Sequence, residues 1–331
     1  MKVTVLGAGA WGTTLAILLH YNGHSVTLWE YKKDYAKKLL KHRLNQTYLP
    51  DIPIPEEINI THNLEEATIN KNMIVLGTPA QFLRSVLKNV DYRDIKNSIF
   101  VSLSKGIEIN TLLTMSQVIS DVYPELDKSQ IGVISGPSHA EEVSRRIPTA
   151  VVAASSAKET SKTIQAAFMT SYFRVYSTCD ILGAELGGAF KNVIAIGAGI
   201  IDGAKFGDNT KAAIMTRGIA EISRLGITMG AKPETFSGLS GMGDLIVTCM
   251  SRHSRNRYVG EKIGGGMKLK DVLKNMYAVA EGVETSRSAS QLAKKYKVET
   301  PITNEVYKVL FEEKDPVKAT TDLMTRDMKE E

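Results

Sequence analysis

Short apolar runs alternate with helical stretches along the first half of the chain. Val3–Leu6, Val26–Trp29, Met73–Leu76, Ile99–Ser102 and Ile131–Ile134 each read as a buried strand. Helical spacing fills residues 11–21 and 34–44, and each later strand has a helical stretch before the next. Such alternation predicts βαβ units and a parallel, doubly wound α/β sheet. Val151-Val152 and Phe173–Tyr176 read as late strands flanking a helix at about 157–168. From about Ile181 the strand pattern stops. Helical stretches dominate instead: 182–204, 210–225, 271–276, 286–295 and 302–311. The expected organisation is therefore an α/β domain over residues 1–180 and an all-α domain over 181–331. Gly264-Gly-Gly266 marks a loop inside the second domain, and the charged end, 326–331, is expected to fray.

Composition changes this picture little. The 331 residues are 43% hydrophobic and 23% charged, which excludes disorder, collagen and coiled coil. Lys plus Arg is 41 and Asp plus Glu is 36, so the net charge is 41 − 36 = +5. A balance that small demands no nucleic-acid partner and suits a protein that handles small anionic metabolites. The two cysteines, Cys179 and Cys249, make neither a disulfide scaffold nor a zinc site, so no metal is expected and a reducing compartment is. The longest apolar run, Val193–Ile201, falls short of the ~20 residues that span a bilayer. The N-terminus reads as a strand and its loop rather than a secretion signal. These features predict a cytoplasmic protein with no membrane insertion.

The chemistry begins at Gly7-Ala-Gly-Ala-Trp-Gly12, a G-x-G-x-x-G run that follows a strand and opens a helix. In that context it predicts a Rossmann-type dinucleotide site. Gly7 permits the tight turn, Gly9 lets a pyrophosphate approach the backbone, and Gly12 lets the helix pack on the sheet. The helix N-terminus offers free N–H groups and a positive dipole end to the phosphates. Glu30, at the end of the second strand, suits the ribose 2′-OH of NAD, whereas Lys32 beyond Tyr31 can accept the 2′-phosphate of NADP. Both cofactors stay open.

Further along, Lys191 and Asn192 are the strongly polar residues of a long apolar, glycine-rich helix, Gly187–Gly199. Either Lys191 reaches the surface along its stem, or it faces a cleft that the glycines let a neighbour approach. Lys105 and the segment Ser135–Ala140, with Gly136 and Ser138, follow strand ends, where ligands sit in open α/β sheets. His139 has the chemistry of a base, but a loop histidine is more often a solvated one, and it is not assigned a role. The segment 251–257 holds Arg252, Arg255 and Arg257 beside Ser254 and Asn256. A solvated face or a nucleic-acid patch fits three arginines too, but aromatic residues are sparse and a planar guanidinium fits a phosphate monoester better.

Taken together, these segments resemble the NAD(P)-dependent glycerol-3-phosphate dehydrogenase family over nearly the whole chain. The carriers are the opening glycine run, Ser104-Lys-Gly106, Ile134-Ser-Gly-Pro-Ser138 and Leu186–Gly199 around Lys191. Gly241–Leu245 and Ser254-Arg-Asn-Arg257 complete the set. The resemblance implies a Rossmann domain followed by a 6-phosphogluconate-dehydrogenase-like helical domain. It implies reversible reduction of dihydroxyacetone phosphate to sn-glycerol 3-phosphate by NADH or NADPH, feeding phospholipid synthesis. Under it Lys191 donates and accepts the proton, while Lys105, Gly136, Ser138, Asp244, Ser254, Arg255 and Asn256 line the substrate. Gly7, Gly9, Ala10, Trp11, Gly12, Glu30, Tyr31, Lys32, Lys105, Ala140, Arg255, Val279 and Glu281 lie along the cofactor. Asn192 and Thr248 support the site, and a homodimer is implied. Ala10 replaces a serine common in the family, and Glu30 replaces a small residue.

Two other functions compete. A 3-hydroxyacid dehydrogenase of the 6-phosphogluconate type has a lysine on a similar helix, usually with an amide four residues later, where Ala195 stands here. A non-catalytic NAD-binding regulator needs the glycine loop without Lys191 or Asp244, and no helix-turn-helix reader is evident.

Overall fold

The computed structural model describes residues 1–328 and 330; Lys329 and Glu331, part of the tail expected to fray, lie outside the described residues. The chain divides into two compact units. The first comprises Met1–Glu108 and Leu113–Glu185, the second Ile109–Leu112 and Leu186–Glu331. The division falls inside one helix, Ile181–Gly203.

The first unit is built on an eight-stranded sheet. Its strands are β1 (Lys2–Leu6), β2 (Ser25–Trp29), β5 (Asn59–Thr61), β6 (Met73–Leu76), β7 (Ile99–Ser102), β8 (Ile131–Ser135), β9 (Thr149–Ser155) and β10 (Phe173–Thr178). A separate hairpin pairs β3 (Leu44–Asn45) with β4 (Leu49–Pro53). The sheet order is β10-β9-β8-β7-β6-β1-β2-β5. The strands are short continuous apolar runs because both faces are covered. Side-chain alternation sorts them into two cores: Val3, Val5, Met73, Val75 and Val101 face one layer, Leu6, Ile74, Leu76 and Phe100 the other. Strand order reverses at β1, whose neighbours β2 and β6 lie on opposite sides. That switch point is where open α/β sheets bind ligands.

Two expectations for this unit need correction. The sheet is not parallel throughout, since β9 runs antiparallel to β8. Gly136 turns the chain there with φ of +126°, and a Cβ on it would lie 3.1 Å from Val151 Cα. The chain thus folds back beside its own strand. The helix expected over 34–44 ends at His42, because Arg43 takes a left-handed conformation, φ 48° and ψ 32°, that opens the β3–β4 hairpin.

In the second unit every regular element among the described residues is a helix. Helices Asp244–Met250, Arg255–Gly264 and Pro316–Met324 form where no helix was expected, and Glu281–Tyr296 starts earlier than its apolar spacing suggested. Arg255–Gly264 opens on Arg255, Asn256 and Arg257, a polar turn that hides it from a hydrophobic-period reading. Glycines bring Ile181–Gly203 and Arg255–Gly264 together backbone to backbone. A Cβ on Gly199 or Gly203 would collide with the carbonyls of Arg257 or Glu261. One on Gly260 or Gly264 would collide with those of Ile196 or Ile200. The four-residue spacing places each pair on one helix face. Among the described residues Ile181–Gly203 is the helix long and apolar enough to cross a bilayer, and its apolar stretch is wholly buried within the fold.

Candidate active site

Three glycines of the first unit pack against one another at the switch point. Gly7 follows β1 with φ of +116°, and a Cβ on it would sit 2.9 Å from the Gly77 carbonyl carbon. A Cβ on Gly12 would collide with the Gly7 carbonyl oxygen. Gly9 differs: a Cβ there meets nothing within 4 Å. It precedes helix Ala10–Tyr21 with extended backbone, and no side chain caps that helix. The loop thus combines forced close packing at both ends with open space and uncapped amides between them, which fits a dinucleotide pyrophosphate.

The remaining first-unit candidates surround other strand ends. Glu30 follows β2, and its Oε1 accepts the Lys32 N–H at 2.9 Å. Burial pushes its carboxyl above the usual range, against that bond. Tyr31 is 76% exposed and Lys32 precedes helix Lys33–His42. Trp11 does not stand free; its ring lies 6.2 Å from Phe173, packed against the core. Ala10 opens the helix after the loop. Ala140 begins a single helical turn, and its carbonyl accepts the Thr14 hydroxyl at 3.4 Å. Lys105 Nζ donates to the Gly136 carbonyl at 2.9 Å and to Ser138 Oγ at 3.4 Å, so these three candidates meet.

In the second unit, Lys191 is only 6% exposed, so it does not reach the surface along its stem. Its ammonium donates to Asp244 Oδ1 at 2.5 Å and to Thr248 Oγ1 at 2.7 Å. Thr248 in turn donates to the Asp244 carbonyl at 2.6 Å. Asp244 opens helix Asp244–Met250 straight after a π-helical turn, Leu239–Gly243. Gly187 permits this approach, since a Cβ there would strike the Ser240 carbonyl. Next to Thr248, burial pushes the Cys249 thiol up to about 12, which makes it no nucleophile at neutral pH.

A second group of hydrogen bonds joins the arginine segment to its neighbours. Asn256 Nδ2 donates to Asn192 Oδ1 at 2.8 Å, and the Gly282 N–H donates to Asn256 Oδ1 at 2.9 Å. Arg255 Nη1 donates to the Val279 carbonyl at 2.8 Å, while Glu281 opens the helix that follows. Ser254 caps helix Arg255–Gly264 by accepting the Arg257 N–H at 3.1 Å. Arg257 is tied to Asp202 at 2.7 Å and to Glu261 at 3.3 Å, so it is a structural member of the cluster.

The comparisons with known proteins converge. Two family models match, the NAD-dependent glycerol-3-phosphate dehydrogenase N-terminus over residues 2–161 and its C-terminus over residues 180–321. The glycerol-3-phosphate dehydrogenase [NAD(P)+] of Chlorobium phaeobacteroides strain BS1 is 50% identical over 331 residues, covering 100% of this chain and 99% of that one. The chain belongs to the NAD-dependent glycerol-3-phosphate dehydrogenase family. The Fusobacterium nucleatum enzyme of the same name is 49% identical over 329 residues, covering 99% and 98%. A solved glycerol-3-phosphate dehydrogenase from Coxiella burnetii superposes with a TM-score of 0.92 at 34% identity, covering 98% of this chain and 99% of that one. The fold expected from the sequence, a Rossmann-type domain and a helical one, agrees with that match.

Membership in the glycerol-3-phosphate dehydrogenase family makes this chain an NAD(P)-dependent oxidoreductase acting on a small molecule. Two residues packed against the glycine loop escaped the sequence reading. Gly77, behind Gly7, lies at a strand end with no motif around it. Asn45, whose amide donates to the Ala8 carbonyl at 2.8 Å, lies just past the helix expected over 34–44 and was given no role.

Proposed function

We propose that this chain catalyses the reversible reduction of dihydroxyacetone phosphate to sn-glycerol 3-phosphate, for glycerophospholipid synthesis. The observation that carries the reading is Lys191, a nearly buried ammonium held by Asp244 and Thr248 on a glycine-rich helix. An ammonium fixed by a carboxylate and a hydroxyl is oriented for proton transfer. Residues 1–180 serve as a dinucleotide-binding domain and residues 181–331 as a substrate-binding domain.

The reduced nicotinamide, when bound, supplies the hydride. The cofactor rests on Gly7, Gly9, Ala10, Trp11 and Gly12, with Glu30, Tyr31 and Lys32 toward its ribose. Lys105, Ala140, Arg255, Val279 and Glu281 complete its contacts. Lys105, Gly136, Ser138, Asp244, Ser254, Arg255 and Asn256 hold the substrate. As negative charge grows on the ketone oxygen, Lys191 stabilises it and gives it a proton. In the reverse direction Lys191 takes the proton back from the hydroxyl. Asn192 and Thr248 hold this machinery in place. The phosphate lies away from the reacting carbon, so its grip supplies binding energy that orients the carbonyl. No metal takes part. The working protein is a cytoplasmic homodimer that binds neither nucleic acid nor membrane.

The test is nicotinamide oxidation with dihydroxyacetone phosphate, run in parallel with NADH and NADPH. Turnover supports the reaction, and the ratio of the two kcat/KM values ranks Glu30 against Lys32. Folded protein that binds the cofactor but turns over neither overturns the substrate assignment.

A further inference from the structure

Asn45 makes four hydrogen bonds from a fully buried side chain. Its Nδ2 donates to the Ala8 carbonyl and to Thr13 Oγ1, each at 2.8 Å. Its Oδ1 accepts the Tyr35 hydroxyl at 2.6 Å and the Tyr48 N–H at 3.2 Å. An amide has two donors and one doubly accepting oxygen, so every capacity is used and the orientation is forced. A flipped amide would set its oxygen against the Ala8 carbonyl. Ala8 lies inside the glycine loop and Thr13 in the first turn of the helix after it. One side chain therefore clamps the loop to the helix whose amides face the pyrophosphate. The clamp comes from the β3–β4 hairpin, more than thirty residues along the chain.

We propose that Asn45 is a positioning residue for the cofactor, holding the glycine loop in its binding form. This rests on the reading of Gly7–Gly12 as the dinucleotide site. A preformed loop loses no conformational freedom on binding, so its clamp acts on cofactor affinity rather than on the chemical step. Glycine-rich backbone has the most freedom to lose.

The test measures NADH binding by fluorescence titration, alongside steady-state kinetics and thermal melting. Asn45→Asp keeps the side-chain shape and the bonds from Tyr35 and Tyr48 but, where its carboxyl is ionised, can no longer donate to Ala8. Its Kd for NADH should rise at least tenfold while kcat at saturating NADH stays within about threefold. A buried carboxyl is hard to ionise, so protonation should restore a donor as pH falls. The ratio of variant to wild-type Kd should then shrink between pH 8 and pH 6. Tyr35→Phe removes a bond from helix Lys33–His42, on the oxygen side of the amide and away from the loop, and should lower Tm with NADH affinity unchanged. Should Asn45→Asp not fold, Thr13→Val, which removes one loop-side acceptor, carries the same expectation of a raised Kd.

Gly9→Val separates the two ideas. Its backbone allows a side chain and its surroundings are open. If Gly9→Val abolishes NADH binding while the folded Asn45→Asp binds as the wild type does, the clamp is overturned and the loop reading stands. If Gly9→Val binds NADH normally, the loop reading itself fails. Equal losses of affinity in Tyr35→Phe and Asn45→Asp would mean a merely structural role and would also overturn the proposal.

Discussion

The loop Gly7–Gly12 and the helix Ile181–Gly203 are both rich in glycine, yet a methyl group added to each meets different surroundings. At Gly9 it meets open space. At Gly199 and Gly203 it meets the backbone of a second helix, and at Gly187 the carbonyl of Ser240. One set keeps room for a ligand, and the other lets helices approach until their backbones touch. The lesson is that a glycine-rich run has no single meaning. In the loop, absence of a side chain leaves open space beside uncapped amides, which the proposed function fills with the cofactor. In the lysine helix, it serves the site at one remove, by bringing the helix that carries Asp244 and Thr248 within reach of Lys191.

That contrast is open to direct attack. The largest effect belongs to Gly260→Val, whose side chain would strike the Ile196 carbonyl. Backbone-to-backbone contact has no flexible neighbour to yield, so destabilisation should exceed about 4 kcal/mol. Circular dichroism and melting would reveal it, and a variant with wild-type Tm would break the packing account. Gly9→Val should fold normally and lose cofactor instead.

Next comes Lys191→Ala. It should lower kcat by about 10²-fold or more, the range for a positioned acid or base. An intact rate in that variant would falsify the proton-transfer role.

A smaller effect separates packing from chemistry within the second unit. Glu221 accepts the amides of Ile302 at 2.7 Å and Thr303 at 3.2 Å, at the start of helix Pro301–Phe311. Burial, outweighing those bonds, pushes its carboxyl up to about 7 from an ordinary 4.5. Between those two values the folded chain holds a proton that the unfolded chain releases. Stability from this group is therefore present below about pH 4.5 and lost as pH rises through about 7. The span is on the order of 1–3 kcal/mol, a shift of several degrees in Tm. Melting curves for wild type and Glu221→Gln across pH 5–8 should differ in slope; parallel curves would discard the titration.

The mildest prediction concerns Arg255→Ala. It should raise the KM for dihydroxyacetone phosphate about tenfold, or about 1.4 kcal/mol, with a smaller change in kcat. Dihydroxyacetone, which lacks the phosphate, provides the control. Equal losses for both ketones would remove Arg255 from the phosphate grip.

Much of the fold was legible because buried strands are short apolar runs. Each of Val3–Leu6, Met73–Leu76 and Ile99–Ser102 lies within a strand of the sheet or coincides with one. What escaped lacked that signature. Asn59–Thr61 is three residues long, and Arg255–Gly264 opens on charged and polar residues. The antiparallel run of β9 depends on the connection over residues 136–148, whose path no hydrophobic pattern encodes. Lys191 was legible as a lone cation among apolar residues, and the choice between surface and interior had to wait for its neighbours. Arg257 had the same composition signal as Arg255, but pairing with Asp202 assigns it to packing.

The sequence by itself determined the two kinds of architecture, the glycine loop after the first strand, the lysine on its glycine helix and the family. These are local patterns, set by period, chirality and the chemistry of single residues. Only the tertiary structure decided which partners those residues keep. Asp244 and Thr248 reach Lys191, Asn256 reaches Asn192, and Asn45 reaches back to Ala8, each across dozens of residues. Such contacts arise when apolar burial folds distant segments together, and buried polar groups must then find partners wherever the packing has brought them.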